Sequence, residues 1–219
     1  MMLRAVGRRS TTGSVTVLGD LAPATTPWAV RSWDEALHHL GKPGAHVEEL
    51  TRGFRVPGEV IDFAARLLPV IAPGLRPPTS VRRTRGELEL LPVADAVAEA
   101  AEAASVARIG STGVIVPDSS VDALTTALAE HRVAHGVLGR GDPIERRDPV
   151  DVVPASLAKG LEFDHVVLAD PEGIVASQQD RRTGLRLLYV CLTRAVTSLV
   201  VLHDTALPPE LIEDPRRTD

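Results

Sequence analysis

The sequence predicts an α/β protein built on a mostly parallel sheet. From Gly86 onward, short apolar runs typical of buried strands alternate with helical segments of about 10 to 15 residues, which is the pattern of successive strand–helix units. The predicted strands are 87–93, 113–116, 150–155, 165–169 and 198–202. The predicted helices are 94–104, 120–131 and 180–195.

The first third of the chain is less regular. Residues 15–18 are apolar and β-branched and predict a buried strand, and residues 33–40 and 57–68 predict helices. Ser32 is an N-cap for the first of these helices and Gly41 ends it. The proline- and glycine-rich stretch 69–78 predicts a loop, and the charged, proline-rich tail after Leu207 is expected to fray.

Composition limits the functional classes. The chain has 219 residues, of which 44% are hydrophobic and 24% charged, as in ordinary globular proteins. Its net charge of −5 argues against a basic surface for nucleic acid, although a local basic groove stays open. Cys191 is the single cysteine, which excludes an internal disulfide and a cysteine-built metal site, and the histidines have no metal-ligand spacing. The single cysteine makes the cytoplasm the expected compartment. We expect no membrane partner, because no apolar run approaches about 18 residues.

Topology alone predicts a site at the carboxyl ends of the strands, where ligands bind in open α/β sheets. Polar segments follow predicted strands or open a helix at three places. These are Gly19-Asp20, the Lys159-Gly160 loop and the start of the helix at Asp180. This expectation names a place and no chemistry.

Two segments carry chemistry of their own. Residues 158–164 (Ala-Lys-Gly-Leu-Glu-Phe-Asp) form a Lys-Gly turn before a strand, which would bring backbone N–H groups and an ammonium beside a phosphate, or form a plain exposed turn. Residues 187–195 (Leu-Leu-Tyr-Val-Cys-Leu-Thr-Arg-Ala) pack a helix on the sheet. Arg194, near the end of that helix, is a candidate bidentate phosphate ligand.

In combination these segments resemble motifs V and VI of the UvrD/Rep class of superfamily 1 helicases. Gly19-Asp20 with Trp28 is similar to motif III, and residues 50–55 (Leu-Thr-Arg-Gly-Phe-Arg) are similar to motif IV. The resemblance implies a RecA-like three-layer sandwich, the second motor domain of such a helicase. It divides the chain into 1–45, the end of a first RecA-like domain, 46–207, the second domain, and 208–219, a flexible tail.

The resemblance also implies roles for individual residues. ATP and Mg²⁺ would lie between two RecA-like domains, and Arg55 and Arg194 would be arginine fingers that neutralise charge on the transferred phosphoryl group. The other positions that match family motifs divide between the nucleotide (Gly19, Asp20, Lys159, Gly160 and Glu162) and the nucleic acid (Trp28 and Thr193).

The chain also departs from the family pattern. Pro23 stands where a glutamine usually senses the γ-phosphate, and Ser156 replaces a histidine of motif V, so we expect those contacts to be missing. The sequence has no Gly-x-x-x-x-Gly-Lys-Ser/Thr motif, since Gly41-Lys42 lacks both the upstream glycine and the hydroxyl. Residues 2–9 are similar to the segment that follows motif II. We therefore expect an upstream P-loop half as a partner and no ATP hydrolysis by the isolated chain.

A closer resemblance concerns the target of the motor. Residues 19–22, 27–29 and 31–35 are similar to the HelD-type motors of actinobacteria, which use ATP to release RNA polymerase. Two alternatives stay open at this point. One is a DNA helicase or translocase that tracks single-stranded DNA, and the other is a truncated interaction module without catalysis.

Overall fold

A six-stranded parallel sheet forms the centre of the protein. The computed structural model describes residues 14–22, 30, 32–81, 87–106, 108–140 and 149–212. Two short strands, β1 (Arg52–Gly53) and β2 (Thr79–Ser80), pair with each other in parallel. The main sheet has the order β3-β8-β7-β4-β6-β5 and is parallel throughout. Its strands are β3 (Glu87–Pro92), β4 (Thr112–Val116), β5 (His135–Val137), β6 (Val150–Pro154), β7 (Phe163–Ala169) and β8 (Ala195–His203).

Helices cover both faces of this sheet. In chain order they are α1 (Trp33–Leu40), α2 (Gly58–Ala65), α3 (Leu68–Ile71), α4 (Ala96–Ser105), α5 (Val121–Glu130), α6 (Pro171–Ala176), α7 (Arg181–Leu192) and α8 (Pro209–Ile212). Helices α2, α3, α6, α7 and α8 pack on one face and α4 and α5 on the other, so each face has its own apolar core. No helix within the described ranges combines the length and the apolar character that crossing a bilayer requires.

The burial pattern explains why the central strands read as continuous apolar runs. Every residue of β4 is buried, because β4 lies inside the sheet and is covered by helices on both faces. Gly113 of this strand lies under the ring of Phe163, and a Cβ at that position would be 2.5 Å from Phe163 Cδ2. The glycine therefore permits the close approach of β7.

The predicted α/β class with a mostly parallel sheet is confirmed, as are most elements predicted from the sequence. The five strands predicted after Gly86 correspond to β3, β4, β6, β7 and β8, and the three helices to α4, α5 and α7. Ser32 caps α1 by accepting from the N–H of Glu35 at 3.1 Å, and Gly41 ends that helix with φ = 72°.

Three local predictions are wrong, and two elements were missed. Residues 15–18 form no strand, and Leu18 is 86% exposed, because no strand of the described chain lies beside them to complete a ladder. The predicted loop 69–78 begins inside helix α3, where Pro69 occupies the first turn that proline tolerates. Strand β5 and helix α6 were not predicted. The tail was expected to fray after Leu207, yet Pro209–Ile212 form α8 and Leu211 is fully buried; residues 213–219 lie outside the described residues.

Candidate functional site

A cleft of about 360 Å³ contains most of the residues that the motifs single out. It lies between the β1–β2 pair, the loop before β7 and the end of helix α7. Its lining includes five predicted site residues, Asp20, Arg55, Glu162, Thr193 and Arg194. The remaining lining residues are Arg52, Gly53, Phe54, Val56, Ile61, Pro78, Tyr189, Ala195 and Val196.

The cleft lies at the amino ends of strands β7 and β8, where Phe163 and Ala195 begin them. The prediction of a site at the carboxyl ends is therefore wrong for this cleft. The physical reason is the course of α7, which starts after the carboxyl end of β7 and returns across the sheet to deliver Arg194 at the opposite edge. Asp180 caps the far end of this 12-residue helix, about 18 Å away at 1.5 Å per residue, so it does not join the cleft.

Arg194 is held in the cleft by backbone carbonyls. Its Nε donates to Val190 O at 2.9 Å, its Nη1 donates to Leu161 O at 3.0 Å, and its Nη2 donates to the Thr193 hydroxyl at 3.2 Å. Two of its five N–H groups have no partner among the described residues. Burial lowers the pKa of Arg194, and the nearby Arg55 lowers it further, but a guanidinium stays charged at neutral pH.

Arg55 reaches the same cleft from the segment after β1 and forms an ion pair with Glu162. The Arg55 side chain is 70% exposed, so unlike Arg194 it is not held by the protein interior. The two predicted arginine fingers thus line one cleft, Arg194 bonded to backbone carbonyls and Arg55 exposed and paired with Glu162.

The Gly19-Asp20 turn is only partly in the cleft. Asp20 lines it and accepts from the N–H of Ala22 at 2.9 Å, and Ala22 is buried in the core. Gly19 does not line the cleft; a Cβ there would lie 3.3 Å from Trp33. Trp28 and Pro23 lie outside the described residues.

Lys159 and Gly160 are exposed and do not line the cleft, although they lie close to Glu162 in the chain. Gly160 has φ = 85°, a left-handed conformation that favours glycine, and open space surrounds the position of its missing Cβ. This exposed Lys-Gly pair comes after a 3₁₀ turn at Ala155–Leu157, and Leu161 connects it to Glu162. The motif V residues are therefore divided, with Glu162 in the cleft and the Lys-Gly pair outside it.

Sequence reasoning missed Phe54, Arg52 and Tyr189 as members of the site. Phe54 is 73% exposed although it is a large apolar side chain. It lines the cleft together with Arg52 and Arg55, which flank it in the sequence. The sequence contained a signal for Phe54, because an aromatic residue directly before Arg55 in a polar loop indicates a binding role. Tyr189 is mostly buried, and burial together with the charge of Asp20 raises the pKa of its hydroxyl to about 12.

The described residues contain no group of three or more histidine, cysteine or carboxylate side chains arranged to hold a metal ion. Cys191 is buried in the core, as predicted, and burial raises the pKa of its thiol to about 12. The carboxylates at hand in the cleft are Asp20 and Glu162, and Glu162 is already paired with Arg55.

Comparison with known proteins finds a similarity in residues 150–202. Residues 150–202 match the sequence model of the UvrD-like helicase C-terminal domain, and this segment carries Glu162, Thr193 and Arg194. A solved structure of the C-terminal domain of a possible DNA helicase from Lactobacillus plantarum WCFS1 is similar to this chain, with a TM-score of 0.52 and 24% identity over 73% of this chain and 92% of the other. That likeness concerns the fold. No curated protein matches the chain. The part of the chain that forms strands β6 to β8 is thus similar to the C-terminal domain of UvrD-like helicases, as the motifs predicted.

Proposed function

We propose that residues 46–207 form the second RecA-like motor domain of a UvrD-like ATPase, in which Arg55 and Arg194 contact the phosphates of ATP bound by a P-loop half. The observation that carries the proposal is the convergence of these two arginines on one cleft from separate parts of the chain. The match of residues 150–202 to the UvrD-like helicase C-terminal domain supports the same function.

The charges of the cleft suit an anion. Three arginines (Arg52, Arg55 and Arg194) line it against two carboxylates (Asp20 and Glu162). A guanidinium is planar and always charged, and it presents parallel N–H groups to phosphate oxygens. Arg194 is partly removed from water, where a charge acts more strongly than in bulk solvent. Such groups stabilise negative charge that develops during phosphoryl transfer.

The division of labour between the two arginines follows from their contacts. Arg194 is seated by Val190 and Leu161 and would hold a phosphate oxygen in a fixed position with its remaining N–H groups. Arg55 is paired with Glu162 and would exchange that carboxylate for phosphate. The exposed ring of Phe54 offers a flat apolar surface on which a base of the nucleotide would stack.

The chain fits ATP as half of a site. Its residues offer cations and an aromatic face, but the sequence has no P-loop to hold the phosphates. We assign the Mg²⁺ ligands and the P-loop lysine to the other RecA-like domain. When bound, ATP supplies the phosphoryl group, and the residues of this chain orient it and neutralise its charge.

The test is ATP hydrolysis by a protein that contains this chain together with its P-loop half. Arg55→Ala and Arg194→Ala are each expected to lower kcat roughly 10³-fold, as the loss of an arginine finger does. Arg194→Lys should recover little of it, because an ammonium cannot present the guanidinium fork. An unchanged kcat in both alanine variants would sink the proposal.

A matched control variant, Arg140→Ala, separates the effect of losing one positive charge from the effect of losing an arginine finger. Arg140 is an exposed arginine that pairs with Asp122 on the face of the sheet away from the cleft. Arg140→Ala removes one positive charge as the finger variants do, and its kcat should stay within twofold of the parent. Arg55 is the cleaner of the two finger variants, since its exposed side chain has little part in folding.

We further propose that the motor acts on RNA polymerase, in the manner of the HelD-like proteins that the first 35 residues resemble. The net charge of −5 supports a protein target over a dedicated DNA tracker. The name of the similar Lactobacillus plantarum protein, a possible DNA helicase, favours DNA instead. Two measurements separate the targets. Stimulation of ATP hydrolysis by single-stranded DNA supports a DNA motor, and co-purification with RNA polymerase that depends on ATP supports the HelD-like function.

A further inference from the structure

We propose that Asp118 is a positioning residue for the loop that carries Lys159, Gly160 and Glu162. The inference rests on the proposed function where it concerns ATP, and on the structure alone where it concerns the loop. Asp118 follows strand β4 and belongs to no motif of the sequence.

The contact between Asp118 and the loop is made at two points. Asp118 Oδ1 accepts from the backbone N–H of Ser156 at 3.1 Å, and Asp118 Oδ2 accepts from the Ser156 hydroxyl at 2.5 Å. Hydrogen bonds to an ionised acceptor are shorter and stronger than those between neutral groups. Because both carboxylate oxygens are used, the contact fixes the orientation of Ser156 as well as its distance.

The register of the sheet brings the two residues together. Val116 of β4 pairs with Pro154 of β6, and Asp118 and Ser156 each follow two residues later. Ser156 lies in the 3₁₀ turn Ala155–Leu157, which directs the chain back across the sheet toward the cleft. Asp118 therefore holds the loop at the point where it leaves strand β6.

The other end of the loop is held by a different element. Arg194 Nη1 donates to Leu161 O at 3.0 Å, and Ala158 between the two anchors is fully buried. Between these fixed points Leu157, Lys159 and Gly160 are exposed, and Glu162 follows directly at the cleft. The loop is thus fixed at both ends, by Asp118 on one side and by the proposed arginine finger on the other.

This arrangement predicts what removal of the carboxylate does. Without Asp118 the 3₁₀ turn loses its anchor, and the residues between Ser156 and Leu161 gain freedom while strands β4 and β6 keep their ladder. Glu162 would then be presented to the cleft in several positions. Glu162 lines the cleft to which the proposed function assigns the nucleotide, which is bound both before and during the reaction. The effect should therefore fall on KM for ATP rather than on kcat.

Hydrogen exchange on the chain by itself tests the positioning. In Asp118→Ala, the amides of Ala158 and Leu161, which donate within the loop to Ala155 O and Ala158 O, should exchange at least fivefold faster than in the parent. Asp122→Ala removes a carboxylate from the same neighbourhood that pairs with Arg140, and it should leave both rates unchanged. Unchanged exchange at Ala158 and Leu161 in Asp118→Ala would overturn the inference.

Kinetics of the protein with its P-loop half test the consequence. Asp118→Ala and Ser156→Ala should each raise KM for ATP roughly tenfold with kcat within twofold, and the double variant should be no worse than either. Ser156→Thr keeps the hydroxyl and should restore the parent KM, which a general loss of stability would not do. A fall in kcat without a change in KM contradicts the inference. If Arg55→Ala and Arg194→Ala both leave hydrolysis unchanged, the proposed function fails, and the exchange rates still decide on Asp118.

Discussion

The guanidinium of Arg194 donates to the carbonyl oxygen of Leu161 at 3.0 Å, and this bond joins the end of helix α7 to the loop that precedes strand β7. Arg194 and Leu161 belong to the two segments that the sequence identifies as motif VI and motif V. One side chain therefore links the residue proposed to contact phosphate with the loop that carries Lys159 and Glu162. Movement of Arg194 toward a ligand would change the position of that loop.

This double role predicts that Arg194 and Arg55 differ in their effect on stability. Arg194→Ala leaves the carbonyl of Leu161 without its guanidinium donor and takes one of two donors from Val190 O, which the Thr193 hydroxyl also contacts. It should lower the free energy of unfolding by about 1–3 kcal/mol. Arg55→Ala removes an exposed ion pair with Glu162 and should change it by less than about 1 kcal/mol. Urea denaturation of both variants measures the difference. Equal losses in the two variants would contradict the seated position of Arg194.

The sheet and its helices were predictable because buried parallel strands are apolar throughout and the helices between them have clear caps and periodicity. Strand β5 escaped prediction because it has only three residues, among them His135 and Gly136. Residues 15–18 have the composition of a strand but form none, since a strand needs a neighbour and composition cannot supply one.

The sequence predicted which residues belong to the site, but not at which edge of the sheet the site lies. Arg55, Glu162 and Arg194 were named from motifs, and the structure brings them to one cleft. Their position at the amino ends of β7 and β8 depends on the direction in which α7 crosses the sheet, which is a tertiary property. Phe54 and Asp118 were not predicted, because the role of each depends on the residues that lie beside it in space. Phe54 lines the cleft with Arg55 and Glu162, and Asp118 accepts from Ser156.

Close packing of α6 on α7 predicts a severe effect at Gly184. A Cβ at this position would lie 2.2 Å from the carbonyl oxygen of Val175, and backbone cannot move aside as a flexible side chain does. Gly184→Ala should lower the free energy of unfolding by about 1–3 kcal/mol. Gly58→Ala is the matched control, because its Cβ would meet Ser80 at an ordinary 3.7 Å, and it should change stability by about 0.5 kcal/mol or less. Urea denaturation measures both, and a neutral Gly184→Ala would refute the close approach.

Asp164 predicts a dependence of stability on pH. The backbone N–H of Ser111 donates to its carboxylate at 2.8 Å and the Ser111 hydroxyl at 2.9 Å, and these bonds lower the pKa of Asp164 in the folded state. The unfolded chain therefore binds the proton more readily, so the contribution of Asp164 is complete above its unfolded pKa of about 3.9 and is lost as pH falls through the lower folded value.

The measurement is urea denaturation of the parent and Asp164→Asn between pH 3 and pH 7. The parent should be the more stable at neutral pH, and its advantage should shrink in the acid range. Ser111→Ala removes the hydroxyl donor and should reduce the pH dependence. A difference between parent and Asp164→Asn that stays constant over the whole range would contradict this origin of the pKa.

Cys191 is expected to be unreactive in the folded protein. The thiol is fully buried, and burial raises its pKa to about 12, so the reactive thiolate is scarce and no reagent reaches it. A disulfide exchange reagent should label it at the rate of global unfolding and promptly in urea. Rapid labelling of the native protein would show that helix α7 opens locally.

Helix α8 shows that the end of the described chain is part of the core. Leu211 is fully buried against the α7 face of the sheet, and its carbonyl accepts from Arg66 Nη1 at 2.7 Å. Arg181 adds a second attachment, since its Nε and Nη2 donate to the Glu210 carboxylate at 2.8 and 2.7 Å. Leu211→Ala should therefore lower the free energy of unfolding by about 2–5 kcal/mol, the range for truncation of a buried leucine.

The neighbouring residue supplies the control. Ile212 is 60% exposed on the same helix, and Ile212→Ala should change the free energy of unfolding by about 0.5 kcal/mol or less. Both substitutions shorten a branched aliphatic side chain at adjacent positions of the same helix, and the difference in burial far exceeds their difference of a few tenths of a kcal/mol in helix propensity. If the two variants melt at the same urea concentration, α8 is not docked in solution, and the fraying expected from its composition is correct after all.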